Sequence, residues 1–228
     1  MPHIPGLFVT GTDTGVGKTY VASLIARHLA RAGYRVGVYK PVASGCRRSG
    51  QEIISDDALA LWEAAGRPGE LHRVCPQRFL APLAPHLAAA AEGARLDEEA
   101  FAQGLDYWRS RSDVLVVEGV GGLMCPLSRT RYVADLAADL GFPLVVVARN
   151  ALGTINMTLQ TLIAATTFHR PLDIAGVVLN GPKPGHNDPS VASNRHELAA
   201  RCVAPLLVGV DWGAQDFDAQ VDWRELAR

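Results

Sequence analysis

The sequence predicts an α/β fold: a single domain over residues 1–228, with a mainly parallel sheet and helices on both of its faces. Three observations predict it. Continuous Val/Leu-rich runs recur at residues 114–117, 144–148 and 174–179, and a strand that is apolar at every position is one covered on both faces. Segments with apolar residues at helical spacing alternate with those runs, the pattern of repeated β–α–β units. A length of 228 residues with 48% hydrophobic and 20% charged residues suits one large globular domain with a substantial core.

Each element follows from local sequence. Residues 7–10 form a short apolar run ending at Gly11, read as a buried strand. Over 19–32, Val21, Leu24, Ile25, Leu29 and Ala32 fall at helical spacing, with His28 on the same face as a packing residue. Gly33 then supplies the left-handed residue that commonly follows a helix. Residues 35–39 read as a second strand feeding Lys40-Pro41, and a helix follows over 56–65 with Ser55 or Asp56 at its cap. The Pro- and Ala-rich stretch 66–95 shows little beyond a helix over 84–92, and 98–109 is helical. The strongest strand signal is 114–117, ending in Glu118. A strand at 144–148, a helix at 155–167, a strand at 174–179 ending at Asn180 and a last strand at 206–208 complete the series. Residues 181–189 form a Pro/Gly-rich loop. The tail after Trp212 is acidic and aromatic, and its sequence assigns it no role.

Charge and composition exclude several classes. A formal net charge of -1 with interspersed signs gives no electrostatic basis for binding nucleic acid or an anionic membrane. No apolar run approaches the ~20 residues of a membrane span. The start Met1-Pro2-His3-Ile4-Pro5-Gly6 lacks the basic head and apolar stretch of a signal peptide. Cys46, Cys75, Cys125 and Cys202 form no C-x-x-C pair, so a reduced, cytoplasmic protein without a structural zinc site is expected. Of the 22 Lys plus Arg residues only Lys18, Lys40 and Lys183 are lysines. A retained lysine marks a place that suits a compact ammonium better than a guanidinium fork.

Gly11-Thr12-Asp13-Thr14-Gly15-Val16-Gly17-Lys18-Thr19 follows a strand and opens a helix. Its glycines allow backbone N–H groups to turn onto phosphate oxygens, and the helix start adds partial positive charge. Lys18 can reach the outer phosphates and the Thr19 hydroxyl can ligate magnesium. Five residues separate Gly11 from the Gly17-Lys18 pair, where the common loop has four. The loop is therefore a variant phosphate loop, which predicts a P-loop nucleoside triphosphatase fold. Glu118 ends a buried strand, where a second magnesium ligand or water-orienting group belongs in this fold class. Gly119, Gly121 and Gly122 beside it allow close backbone approach to a ligand. Asp57, read alone, serves equally as a charge complement to a helix start.

Three segments together, Gly11–Thr19 above, Lys40-Pro41-Val42-Ala43-Ser44-Gly45 and Val117-Glu118-Gly119-Val120-Gly121-Gly122, closely resemble the dethiobiotin synthetase family. Ser55-Asp56-Asp57, Pro82-Leu83-Ala84-Pro85-His86 with Glu92-Gly93, and Leu152-Gly153-Thr154-Ile155-Asn156 also fit, so the likeness runs from about residue 7 to 181. The resemblance implies an ATP- and magnesium-dependent cyclo-ligase of biotin synthesis, acting on 7,8-diaminopelargonic acid and carbon dioxide (or bicarbonate). In that reaction an amino group becomes a carbamate, the γ-phosphoryl of ATP passes to a carbamate oxygen, and the second amine closes a cyclic urea with loss of phosphate. The resemblance further implies Lys40 and Lys18 as catalytic residues, and Thr19, Asp57 and Glu118 as magnesium ligands. Thr14, Gly15, Val16, Gly17, Lys18, Thr19, Tyr20, Asp57, Glu118, Gly119, Val120, Gly121 and Asn180 would bind nucleotide. Thr12, Ser44, Gly153 and Asn156 would bind substrate, the 152–156 segment serving the second subunit of a homodimer. Three departures stand out: Gly181 follows Asn180 where the family often has an acid, residues 204–211 lack the family's Ile-Pro, and Leu83 replaces a small or polar residue. The alternative is a nucleotide switch of the partitioning or targeting type, which shares the fold but carries a signature lysine where this chain has Asp13.

Overall fold

The computed structural model describes residues 4–201, 204 and 207–227. In chain order the first half holds β1 (Gly6–Gly11), α1 (Lys18–Arg31), β2 (Val36–Tyr39), β3 (Val42–Ala43), β4 (Arg47–Ser49), β5 (Glu52–Ile54), α2 (Asp56–Ala64), α3 (Leu71–Val74), β6 (Gln77–Arg78), α4 (Pro85–Ala91) and α5 (Glu99–Arg109). The second half holds β7 (Val114–Glu118), α6 (Val133–Leu140), β8 (Leu144–Arg149), α7 (Thr154–Thr167), β9 (Ile174–Asn180), α8 (Val191–Arg201), β10 (Leu207–Val210) and α9 (Trp223–Leu226).

Six strands form one sheet in the order β10-β9-β8-β1-β7-β2, and every pairing in it is parallel. The continuous apolar runs have the expected cause. All residues of β1, β2 and β7 are buried, because helices cover both faces and leave no solvated side to favour alternation. Phe8, Leu7, Leu115 and Leu144 are fully enclosed, each contributing about 1.5–3 kcal/mol of apolar transfer. α5 adds Phe101, Leu105 and Trp108 to this core, spaced at i, i+4 and i+7. Ser55 caps α2, its hydroxyl accepting from the Ala58 N–H at 3.2 Å.

The topology positions the site. The chain leaves β1, crosses to β2, returns to β7 between them, and then passes to the far side of β1 for β8. A crevice is expected at the carboxyl ends of strands around such a reversal. There Val9 is in register with Glu118, and Tyr39 with Val117. The residues just beyond β1 and β2 and the last residue of β7 therefore meet, although 99 positions separate Thr19 from Glu118.

Some elements differ from expectation. α6 and α8 lie in stretches whose local sequence predicts no helix, and the 47–54 hairpin of β4 and β5 is a further addition. The expected last strand is shifted to Leu207–Val210, and Leu206 and Cys202 lie outside the described residues. The tail has a structural role: Trp223 is buried, Phe217 lies 4.9 Å from its ring, and His28 on α1 lies 5.6 Å from Phe217. His28 also approaches Asp216 at 3.0 Å, so the tail folds back across α1. Among the described residues no helix is long and apolar enough to cross a membrane.

Candidate active site

The loop between β1 and α1 is shaped by two left-handed glycines. Gly15 has φ 71° and Gly17 φ 99°, values that side-chain-bearing residues adopt at a cost. At Gly17 space also forbids a side chain, since a Cβ would lie 2.0 Å from Asn180 Nδ2. Lys18, which is nearly enclosed, folds over the loop and donates to the Asp13 carbonyl at 2.9 Å. Burial lowers its pKa, with the neighbouring Lys40 ammonium adding to the effect against the Glu118 carboxylate.

Beside the loop stands a four-residue polar cluster. Lys40 Nζ lies 2.8 Å from Glu118 Oε1 and 3.0 Å from Asp57 Oδ2, and the Thr19 hydroxyl donates to the same Glu118 oxygen at 2.8 Å. The side chains of Lys40 and Glu118 are 3% and 1% exposed, so neither charge is solvated and each depends on the other. Burial works to lower the pKa of Lys40, yet Glu118 and Asp57 outweigh it and hold the ammonium above its ordinary value. Burial works to raise Asp57, and Lys40 outweighs it in the other direction. The backbone of Lys40 is fixed as well, its N–H donating to the Val74 carbonyl at 2.7 Å.

The same cluster fits a magnesium ion. Two carboxylates already converge on one cationic atom, a hydroxyl stands beside them, and Glu118 Oε2 is buried with no partner. Its acidic ligands number two, and among the described residues no metal-type group of three or more His, Cys, Asp or Glu side chains is found. An oxygen set of two carboxylates and one hydroxyl suits a hard cation that completes its shell with phosphate and water.

These groups floor a cleft of about 1010 Å³, the size of a small-molecule site. Thirteen of the residues implied by sequence line it: Thr14, Gly15, Gly17, Lys18, Thr19, Tyr20, Lys40, Ser44, Asp57, Glu118, Val120, Gly121 and Asn180. Val16 is buried behind the loop and Gly119 sits under Lys40, its carbonyl 3.5 Å from Nζ. Thr12 lines a separate cavity with Met124, Met157 and Thr161. Gly153 and Asn156 are exposed at the start of α7 and line neither cavity. Within one chain these three are thus not gathered with the other substrate candidates.

Other residues that local sequence assigns no role also stand at the cleft or beside it. Cys125, Trp212 and Gly213 line the cleft, and the Lys183 ammonium lies 5.0 Å from the Trp212 ring centroid. Trp212 follows the end of a parallel strand, the edge where ligands bind, and that position was the available signal. Arg149, outside the cleft, donates to the Gly15 carbonyl at 2.9 Å.

Comparison with known proteins is consistent with this geometry. A family model described as an AAA domain matches residues 5–215. The ATP-dependent dethiobiotin synthetase of Rhodopirellula baltica is 42% identical over 215 residues, covering 89% of this chain and 82% of that protein. The enzyme of the same name from Anaeromyxobacter dehalogenans is 46% identical, covering 85% of this chain and 84% of the relative. The chain belongs to the dethiobiotin synthetase family. Among solved structures, the signal recognition particle receptor FtsY of Elizabethkingia anophelis superposes with a TM-score of 0.52 at 14% identity, covering 99% of this chain and 65% of that one. That likeness concerns the fold alone.

Proposed function

We propose that the protein is an ATP-dependent dethiobiotin synthetase, a cyclo-ligase that converts 7,8-diaminopelargonic acid, carbon dioxide and ATP to dethiobiotin, ADP and phosphate. The observation that carries this reading is the enclosed Lys40 ammonium held between Asp57 and Glu118, beside the phosphate loop of a chain whose relatives bear that name.

The chemistry asks for little covalent work from the protein. One substrate amine adds to carbon dioxide and loses a proton to give a carbamate. A carbamate oxygen takes the γ-phosphoryl group and ADP leaves. The second amine attacks the carbonyl of the resulting anhydride, forming the cyclic urea and expelling phosphate. Each phosphoryl step depends on positioning and charge neutralisation. The inward N–H groups of the loop and Lys18 hold the phosphates. Lys40, kept protonated by its carboxylate neighbours, supplies a compact positive charge for the carbamate and the transferring group. Thr19, Asp57 and Glu118 would hold magnesium, which supplies further neutralisation of phosphate charge when bound. Ser44 faces the cleft and offers a hydroxyl to the substrate. Asn180 would contact the nucleobase.

The placement of Gly153 and Asn156 outside the cleft supports a homodimer. In that arrangement the α7 start of one subunit, whose first-turn N–H groups lack helical acceptors, meets the substrate carboxylate in the other. A cytoplasmic location is part of the same reading. The test is phosphate release with ATP, magnesium and bicarbonate, with and without the diamine. Diamine-dependent release that collapses in Lys40→Ala supports the reading. ATP hydrolysis indifferent to the diamine would refute it in favour of a nucleotide switch.

A further inference from the structure

Arg149 and Asn180 end neighbouring strands, β8 and β9, and are register partners across them. Residues in register project to the same face of a sheet, and both side chains reach the phosphate loop. Arg149 Nη2 donates to the Gly15 carbonyl at 2.9 Å, and Asn180 Nδ2 donates to the Val16 carbonyl at 2.9 Å. Two consecutive loop carbonyls are therefore each held by a donor from outside the loop. The identity of the donors is chemically fixed: a guanidinium can only donate, and a carbonyl can only accept, so the Asn180 amide must present its nitrogen to Val16.

The consequence follows from peptide geometry. In a trans peptide the carbonyl of one residue and the N–H of the next point in opposite directions. Drawing the Gly15 carbonyl toward Arg149 turns the Val16 N–H the other way, and drawing the Val16 carbonyl toward Asn180 does the same for the Gly17 N–H. Gly15 and Gly17, both at positive φ, are the flexible points that would otherwise let these peptides rotate. We infer that Arg149, with Asn180, is a positioning residue that clamps the phosphate loop from behind, fixing the Val16 and Gly17 N–H groups toward the bound phosphates. Arg149 itself does not line the cleft and is exposed, so it acts through the loop rather than on the nucleotide.

The test uses Arg149→Ala in the full chain and measures binding by calorimetry with two magnesium-loaded ligands, ATP and inorganic tripolyphosphate. Tripolyphosphate has no base or ribose, so it reads the phosphate cradle alone, and neither ligand requires turnover. The result is therefore independent of the ligase reading. Loss of one clamping hydrogen bond is expected to weaken both ligands by the same factor, roughly three- to tenfold. The melting temperature stays unchanged, as for other exposed positions. The factor persists between about 0.05 and 0.5 M salt, because a contact hydrogen bond is far less screened than a distant charge. Unchanged affinity for both ligands would overturn the inference. So would a loss confined to low salt, which would reveal a long-range charge effect, or a loss for ATP without one for tripolyphosphate.

Discussion

Replacing Lys40 by methionine removes a charge while keeping most of the side-chain volume, and its consequences can be worked from the structure. Glu118, 1% exposed, loses its counter-charge, while Asp57, with its side chain 47% exposed, can turn to water. Only the Glu118 arm therefore carries a large cost. Breaking a buried pair from one side costs about 3–5 kcal/mol, which for a domain of this size lowers the melting temperature by on the order of 10 °C. The cost depends on pH with a definite sign. Burial raises the Glu118 pKa already, and Lys40 opposes that rise; without Lys40 the rise is larger. A carboxyl whose folded pKa lies above its unfolded one destabilises the fold at high pH, and stability returns as pH falls and the group protonates. Denaturant melts of wild type and Lys40→Met at pH 8 and pH 5.5 should thus show a large gap that narrows in acid. In turnover, loss of a preorganised charge should reduce kcat by about 10²–10³. A variant as stable as wild type at pH 8, or a gap that widens in acid, would refute the reasoning.

Two further outcomes are expected. Gly17→Ala places a Cβ at a position with φ 99° and 2.0 Å from Asn180 Nδ2. It should cost about 1–3 kcal/mol of stability and most nucleotide affinity, checked by thermal melting and nucleotide titration. At the exposed surface, Arg35 hydrogen bonds hold the Asp113 pKa down to about 2. Its contribution is complete above the unfolded pKa near ~4 and disappears as pH falls toward about 2. The melting temperatures of wild type and Asp113→Asn should therefore differ at neutral pH and converge in strong acid.

The sheet was legible because burial on both faces writes strands as unbroken apolar runs, so β1, β7, β8 and β9 appear as Leu7–Phe8–Val9, Val114–Val117 and their counterparts. Glu118 and Lys40 could be placed for the same reason: each marks where an apolar run stops. α6 escaped because it spans only eight residues and has Tyr132 at its N-cap, a residue type not among the preferred caps. α8 opens directly out of a Pro/Gly-rich loop, which masked its start. The β4–β5 hairpin is exposed along most of its length and so leaves no burial pattern. Tail packing on α1 depends on contacts between Phe217, Trp223 and His28, partners almost 200 positions apart that no local pattern connects. Arg149 was hidden likewise, since an arginine ending a strand looks like any solvated charge until Gly15 is seen beneath it.

The most direct test of the central claim is to supply purified protein with ATP, magnesium, the diamine and carbon-13 bicarbonate, and to weigh the product. The account predicts one labelled carbon in a cyclic urea and one phosphate released for each urea formed, with neither appearing when the diamine is omitted. Phosphate release that proceeds equally without the diamine, with no labelled urea, would contradict it.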